Sequence, residues 1–344
     1  MRSTGLYYSP QFLLHEAPGH PEAPARLTAA WALLEQHGLL LDLALCQPAP
    51  ADLAVVEQVH AAHYIRSVRA LAADGGGWVD SDTFVSPASF DAAVLAAGAA
   101  VDATAAVLAG RQRNAFVLVR PPGHHAVRDR AMGFCLFNNV AVAAQWAVKA
   151  GGAQRVLIVD FDVHHGNGTQ DIFYERADVC FFSIHQFPLY PGTGRLAETG
   201  GGAGAGTTAN VPLPPGCGNH EYLRAFDEIL IPLARRWRPD LILVSAGYDA
   251  HWRDPLANMR LTVEGYAALV DCLCALAAEL CAGRLVMMLE GGYNLDAIAA
   301  AAVASAQVLA DQPPVGDPYG QPPPHPLSPR AEQVLAAARQ QWDL

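Results

Sequence analysis

The stretch Val156 to Gly168, VLIVDFDVHHGNG, constrains the fold more than any other part of the chain. An apolar, mostly β-branched run leads directly into two carboxylates and two imidazoles and then into Gly-Asn-Gly. That is the pattern of a buried parallel strand delivering side chains to a site at its carboxyl end. In extended backbone, side chains two apart share a face, so Asp160, Asp162 and His164 project one way and Phe161, Val163 and His165 the other. A carboxylate and an imidazole on one face make half of a metal site. The plainer alternative is a hydrogen-bonded loop, and other segments must decide.

Three further apolar runs end in the same manner. Asn114 to Val119 closes on Arg120-Pro-Pro-Gly-His124-His125, Leu241 to Ser245 on Ala-Gly-Tyr-Asp249, and Leu285 to Leu289 on Glu290-Gly-Gly-Tyr293. The prolines stiffen the turn that carries the histidine pair, while Gly291 and Gly292 permit a sharp turn that presents the Tyr293 hydroxyl inward. Strands are also expected at Leu6 to Ser9 and Val179 to Ile184. Helical patterns are expected over Leu27 to His37, Val55 to Ala73, Ser89 to Gly110, Asn139 to Lys149, Glu221 to Trp237 and Glu264 to Ala282. Strands alternating with helices predict an α/β fold with a central, mostly parallel sheet and helices on both faces, and ligands bind such sheets beyond the carboxyl ends of the strands.

Four separated segments thus bring polar groups to one edge. Asp162, His164 and Asp249 offer a metal two oxygens and a nitrogen and leave a position open for water or substrate, the arrangement of a catalytic site. Zinc suits the set by ligand type, with ferrous iron a rival. One metal is the economical reading, because a dinuclear centre needs bridging carboxylates these loops do not supply. Asp249 as a simple turn carboxylate is the plainer alternative.

The remaining features narrow the class. The chain has 344 residues, 52% hydrophobic and 16% charged, which suits one catalytic domain spanning 1–344. Residues 312–329 read as a proline-rich surface segment, and Ser328-Pro329 as the cap of a terminal helix over 330–341. A net charge of −11 without Lys/Arg runs argues against nucleic-acid or anionic-membrane binding. The seven cysteines lack disulfide or zinc-knuckle spacing, no basic leader precedes the first strand, and no stretch approaches a membrane span uninterrupted by charge. A cytoplasmic protein, able to form a homo-oligomer, is expected. Gly200 to Gly206 reads as a mobile loop rather than a phosphate cradle. His60 and His63 read as packing or surface residues of a helix, and Arg26 as either a surface charge or a buried structural or channel-lining group.

RPPGHH (120–125), GFCLFNN (133–139), DFDVHHGNGTQ (160–170), YPGTG (190–194), SAGYDAH (245–251), DPL (254–256) and EGGYN (290–294) together resemble the histone deacetylase family, of the arginase-like α/β superfamily. The resemblance implies a three-layer arginase/deacetylase-like fold and a zinc amidohydrolase removing acetyl or a related acyl group from lysine in a protein or peptide. Asp162, His164 and Asp249 would hold Zn2+, which polarises the amide carbonyl and acidifies water to a pKa of about 7. His125 would serve as general base and then acid, His124, oriented by Asp160, would give electrostatic support, and Tyr293 would donate to the oxyanion. Gly133, Phe134 and Tyr190 would line the tunnel, and Asp82 would grip substrate backbone at the rim. A structural K+ or Na+ is implied at Asp160, Asp162, His164, Ser183 and Ile184, and a second near Phe173 and Val179.

Two departures refine the class. Asn167 stands where one major class carries aspartate, so the chain looks like the other major class, class II. Leu256 stands where a polyamine-selective member carries glutamate, which favours acyl-lysine over acetylpolyamines or other small amides as substrate. A non-catalytic acyl-lysine binder is disfavoured by the intact His125 and Tyr293.

Overall fold

Apolar runs closing on polar residues become the centre of the sheet. The computed structural model describes residues 3–326 and 328–344; Met1, Arg2 and Leu327, the last within the expected proline-rich segment, lie outside the described residues. Among the described residues one eight-stranded sheet forms from β1 (Gly5–Tyr7), β2 (Ala44–Cys46), β3 (Asn114–Val117), β4 (Val156–Asp160), β5 (Val179–Gln186), β6 (Thr208–Leu213), β7 (Leu241–Ala246) and β8 (Leu285–Leu289). Its order is β2-β1-β3-β8-β7-β4-β5-β6, and every neighbouring pair is parallel. Parallel neighbours need crossover connections, and helices supply them except between β5 and β6, where residues 187–207 form a loop with one short 3-10 turn at Gly202–Gly204. All residues of β3, β4, β7 and β8 are buried, which explains their unbroken apolar sequence.

Those four strands are contiguous. Their carboxyl ends therefore open onto one place, and the loops that follow them carry His124-His125, Asp162-His164, Asp249 and Tyr293. Helices α1 (Ala25–Gln36), α2 (Ser89–Leu108), α3 (Asn139–Lys149), α4 (Asn167–Phe173), α5 (Val263–Cys281), α6 (Leu295–Leu309) and α7 (Pro329–Trp342) pack around the sheet. Helix α2 is long and apolar enough to cross a membrane, but Asp91 and Asp102 interrupt it and most of it is buried, packed on α3 and β3.

Several expectations are corrected. The helix expected over Val55 to Ala73 is two pieces, Leu53–Val56 and Ala62–Ala73, because the chain turns between them to bury His60 and to pair the Ala61 N–H with the Arg128 carbonyl. The helix expected from Glu221 to Trp237 runs from Asn219 and widens into a π turn at Phe226–Leu230. Pro232 follows one residue later, with no N–H to give and a ring that presses on the preceding turn. Gly200 to Gly206 packs rather than hanging free: Gly201 N–H donates to the Tyr174 carbonyl, Gly206 N–H to Thr199, and a Cβ at Gly204 would overlap the backbone of Tyr174 to Arg176. The edge strands β2 and β6 had no expectation attached to them. Both lack a long apolar run, and β6 carries Pro212, which an edge position tolerates.

Candidate active site

The strand β4 ends at Asp160, so Asp162 and His164 sit on a bend rather than on extended backbone. Local hydrogen bonds keep them aligned: Asp160 Oδ1 accepts from the Asp162 N–H at 3.1 Å, and Asp162 Oδ1 from the His164 N–H at 2.9 Å. Phe161 turns away to pack on Tyr248 and Tyr266, and His165 turns to Thr193 and Gln170. Asp249 arrives from the β7 loop, where its Oδ1 accepts from the Val163 N–H at 2.9 Å.

The ligand atoms of Asp162, His164 and Asp249 all lie within 4.8 Å of one another, buried. His164 Nδ1 stands 3.2 Å from Asp162 Oδ1 and 3.2 Å from Asp249 Oδ2. Burial opposes a proton on His164, but hydrogen bonds to the two carboxylates outweigh it and raise the pKa to about 10. Among the described residues no lysine or arginine forms an ion pair with Asp162 or Asp249. Two buried carboxylates thus share one imidazole with no lysine or arginine paired to them, a donor set suited to a divalent metal.

Glycine makes the room. A Cβ at Gly247 would overlap Asp162 Oδ2, and one at Gly291 would overlap both Asp249 Oδ2 and Asp162 Oδ2. The Gly291 N–H also donates to Asp162 Oδ2 at 2.8 Å. Gly291 therefore serves the carboxylates, and only Gly292, with φ of 117°, supplies the turn toward Tyr293.

The histidine pair is differentiated by its partners. His124 Nδ1 donates to Asp160 Oδ2 at 3.0 Å. Burial alone would lower its pKa, but the charges of Asp160 and Asp162 raise it to about 10, so it carries a proton at neutral pH. His125 Nδ1 lies 2.7 Å from Asn167 Oδ1, which can only accept, so Nδ1 holds the hydrogen and Nε2 keeps a free lone pair. Burial first, then the charges of His124 and His164, push the His125 pKa well below its ordinary value.

Tyr293 stands between Phe134, at 5.7 Å edge-to-face, and the Arg26 guanidinium, 4.9 Å above its ring. Its N–H donates to Asp254 Oδ2 at 2.7 Å, and burial raises its hydroxyl pKa well above the usual value, keeping it a donor. Tyr190 is 5.1 Å from the His125 ring and 6.3 Å from that of His164. At Gly133 a Cβ would overlap His125. Asp82 lies beside the Phe134 wall, its carboxylate accepting from Thr83 Oγ1, while that same hydroxyl accepts the Phe134 N–H. Leu256 is half-buried on the Asp254 loop, its N–H donating to Asp254 Oδ1.

The residues implied for monovalent cations divide. Ser183 pairs in register with Asp160, and Ile184 follows it, close to the ligand triplet. Phe173 ends α4 and Val179 pairs with Val156 at the amino end of β4, away from the triplet.

The supports of the site were partly missed. Arg26 is fully buried: it donates to the carbonyls of Glu290 and Gly292 and to Glu22 Oε1 at 2.8 Å. Glu22 also receives Arg120 at both oxygens, and although burial opposes its charge, Arg120 holds its pKa well below the usual value. The Glu22–Arg26 spacing of four residues was the available signal, although Glu22 lies in the bend before α1 rather than on the helix. Glu290 Oε2 accepts the Gly123 and His124 N–H groups and its Oε1 the Ser245 hydroxyl, anchoring the histidine loop to β7 and β8. His60, expected as a packing or surface residue of a helix, donates from Nδ1 to Val127 and accepts the Asn138 N–H at Nε2, bracing the next loop. A second buried group, His124, Cys135 and Glu290, also has ligand-like proximity, but Glu290 is occupied by backbone donors and burial holds the Cys135 thiol protonated.

The histone deacetylase domain matches residues 20–309. A probable deacetylase of Archaeoglobus fulgidus is 43% identical over 85% of this chain and 82% of its own. A histone deacetylase-like amidohydrolase of Pseudomonas aeruginosa is 43% identical over 81% of this chain and 73% of its own. The crystal structure of the HDA15 HD domain superposes with a TM-score of 0.91 at 37% identity, covering 99% of this chain and 95% of that one.

Proposed function

The chain belongs to the histone deacetylase family and is a hydrolytic deacetylase, and from that premise we propose that it removes acetyl or a related acyl group from lysine side chains of a protein or peptide, using zinc at Asp162, His164 and Asp249. The observation that carries the reading is the contrast within the histidine pair, His124 set against the Asp160 carboxylate and His125 against the Asn167 amide oxygen with an open Nε2, beside the three-residue donor set. The family is generally zinc-dependent. When bound there, zinc supplies Lewis-acid polarisation of the amide carbonyl and of the attacking water.

The chain's own groups do the rest. His125 Nε2 accepts the proton of the attacking water, and the same proton passes to the departing lysine amine. Asn167 fixes the tautomer that leaves Nε2 free. His124, holding its proton against Asp160, offsets negative charge developing at the carbonyl oxygen. Tyr293 donates its hydroxyl to that oxygen, with Arg26 and Phe134 fixing its ring. Gly133, Phe134 and Tyr190 wall the passage for the acyl-lysine stem, with Asp82 and Leu256 at its rim. A structural K+ or Na+ beside Asp160 and Ser183 would add positive charge behind the ligands. The seven free cysteines support a cytoplasmic location.

The test is a panel of acyl-lysine peptides of several chain lengths beside N-acetylated polyamines, with metal quantified in the same preparation. Faster turnover of peptides by zinc-loaded protein is expected. A clear preference for polyamines would move the substrate to small amides, and no turnover at all would reject the reading.

A further inference from the structure

One wall of the site continues outward as a file of aromatic rings. Phe134 meets Tyr293 at 5.7 Å on its inner side and the His20 imidazole at 4.6 Å on its outer side. The His20 ring is in turn 6.0 Å from Trp78, which packs edge-on against Phe84 at 5.1 Å. Trp78 ends this file at the surface with 56% of its area exposed, the most exposed aromatic side chain among the described residues. An exposed indole joined to the passage ring by ring is a built surface rather than a stray apolar residue.

The turn that carries it is acidic and rigid. Residues Gly77–Trp78 pair with Phe84–Val85 in a short antiparallel ladder, and the Val79 N–H donates to the Thr83 carbonyl. Asp80 Oδ1 accepts the N–H groups of Asp82 and Thr83, which fixes the turn and keeps the Asp80 carboxylate at the surface. The Asp82 carbonyl accepts from His20 Nε2 at 3.0 Å, locking the turn onto the aromatic file. An open indole face with two carboxylates on the same turn favours a cation, by attraction to the ring and to the acids.

Resting on the acyl-lysine reading above, we propose that Trp78 and the Asp80–Thr83 turn form a specificity subsite for a basic side chain, Arg or Lys, one or two residues from the acylated lysine in a peptide substrate. A strand-like peptide crossing the mouth advances about 3.3 Å per residue, so a near neighbour of the acyl-lysine comes over this turn while the stem enters between Phe134 and Tyr190. Substrate selection here lies in the flanking residue, and the passage stays indifferent to it.

The experiment uses the full zinc-loaded chain and three acetyl-lysine peptides differing only in an adjacent Arg, Gln or Glu. kcat and KM are measured for the unaltered protein and for Trp78→Ala, Trp78→Phe and Asp80→Asn; the asparagine keeps the oxygen that caps the turn. The Arg peptide is expected to exceed the Glu peptide by about tenfold in kcat/KM, with the advantage falling as salt is raised. Trp78→Ala is expected to remove about fivefold of that advantage through KM, Trp78→Phe to restore most of it, and Asp80→Asn to weaken it with an unchanged thermal midpoint. Equal rates for the three peptides, or a Trp78→Ala loss that falls on all of them alike and on kcat, would overturn the subsite while leaving the deacetylase reading intact. Turnover of N-acetylated polyamines alone, with no peptide accepted, would instead remove the reading on which it rests.

Discussion

At the floor of the site, Asp162 accepts N–H bonds from His164 and Gly291 and lies against Gly247, Asp249 is held by Val163, and Glu290 takes two backbone donors and a hydroxyl. At the mouth, Tyr190 is 38% exposed, Trp78 is 56% exposed, and the Phe134 N–H is met by a single side chain, Thr83. The floor rests on the ends of four adjacent buried strands, whereas the mouth is built from loops and a hairpin with two residues in each strand. On the proposed reading, chemistry falls to the buried, multiply hydrogen-bonded part of the molecule, and choice of substrate to the more exposed part that can change without disturbing it.

That contrast is open to attack in order of expected effect. Asp249→Ala removes one of the three proposed ligands and leaves Asp162 and His164 without their partner. Both bound zinc and turnover are expected to fall well over a hundredfold, since losing even a supporting partner costs about 10–100-fold. Metal analysis with kinetics checks it, and retained stoichiometric zinc would break the floor's claim to be the metal site. Tyr293→Phe is expected to keep its metal and lose about a hundredfold or more in kcat, as for removal of one oxyanion donor. Full activity would take Tyr293 out of the chemistry. Gly291→Ala is expected to weaken zinc affinity by about 10–100-fold, because the new methyl displaces two carboxylates; competition with a chelator measures it.

The smallest effect concerns a support of the floor. Burial lowers the His60 pKa to about 4, below the unfolded value of about 6.5. The unfolded chain therefore binds the extra proton first, and the His60 contribution is complete above about pH 6.5 and is lost as pH falls toward about 4. Denaturant midpoints at pH 7 and pH 5 are expected to differ less in His60→Gln than in the unaltered protein. An identical pH dependence in both would show that His60 does not stay neutral in the fold.

Legibility in the sequence followed the same division. The central strands were readable because burial on both faces demands an unbroken apolar run, and each run's polar ending marked a loop of the site. The convergence of Asp162, His164 and Asp249 followed from parallel topology, which sends strand ends to one side. Glu22 and Glu290 were harder to read, since Arg120, and Gly123 with His124, lie more than ninety residues from them and local pattern says nothing of pairings made on folding. The break before Ala62 was hidden for a related reason: His60 fits a helical spacing, and only its contacts with Val127 and Asn138 pull it out of the helix. The edge strand β6 was obscured by Pro212, a residue that a central strand would reject.

The account stands most directly on X-ray absorption at the zinc edge of the stoichiometrically loaded protein. One zinc per chain is predicted, with only nitrogen and oxygen neighbours at about 2.0–2.2 Å, as Asp162, His164 and Asp249 require. A sulfur neighbour at about 2.3 Å would place the ion at Cys135 instead and contradict it.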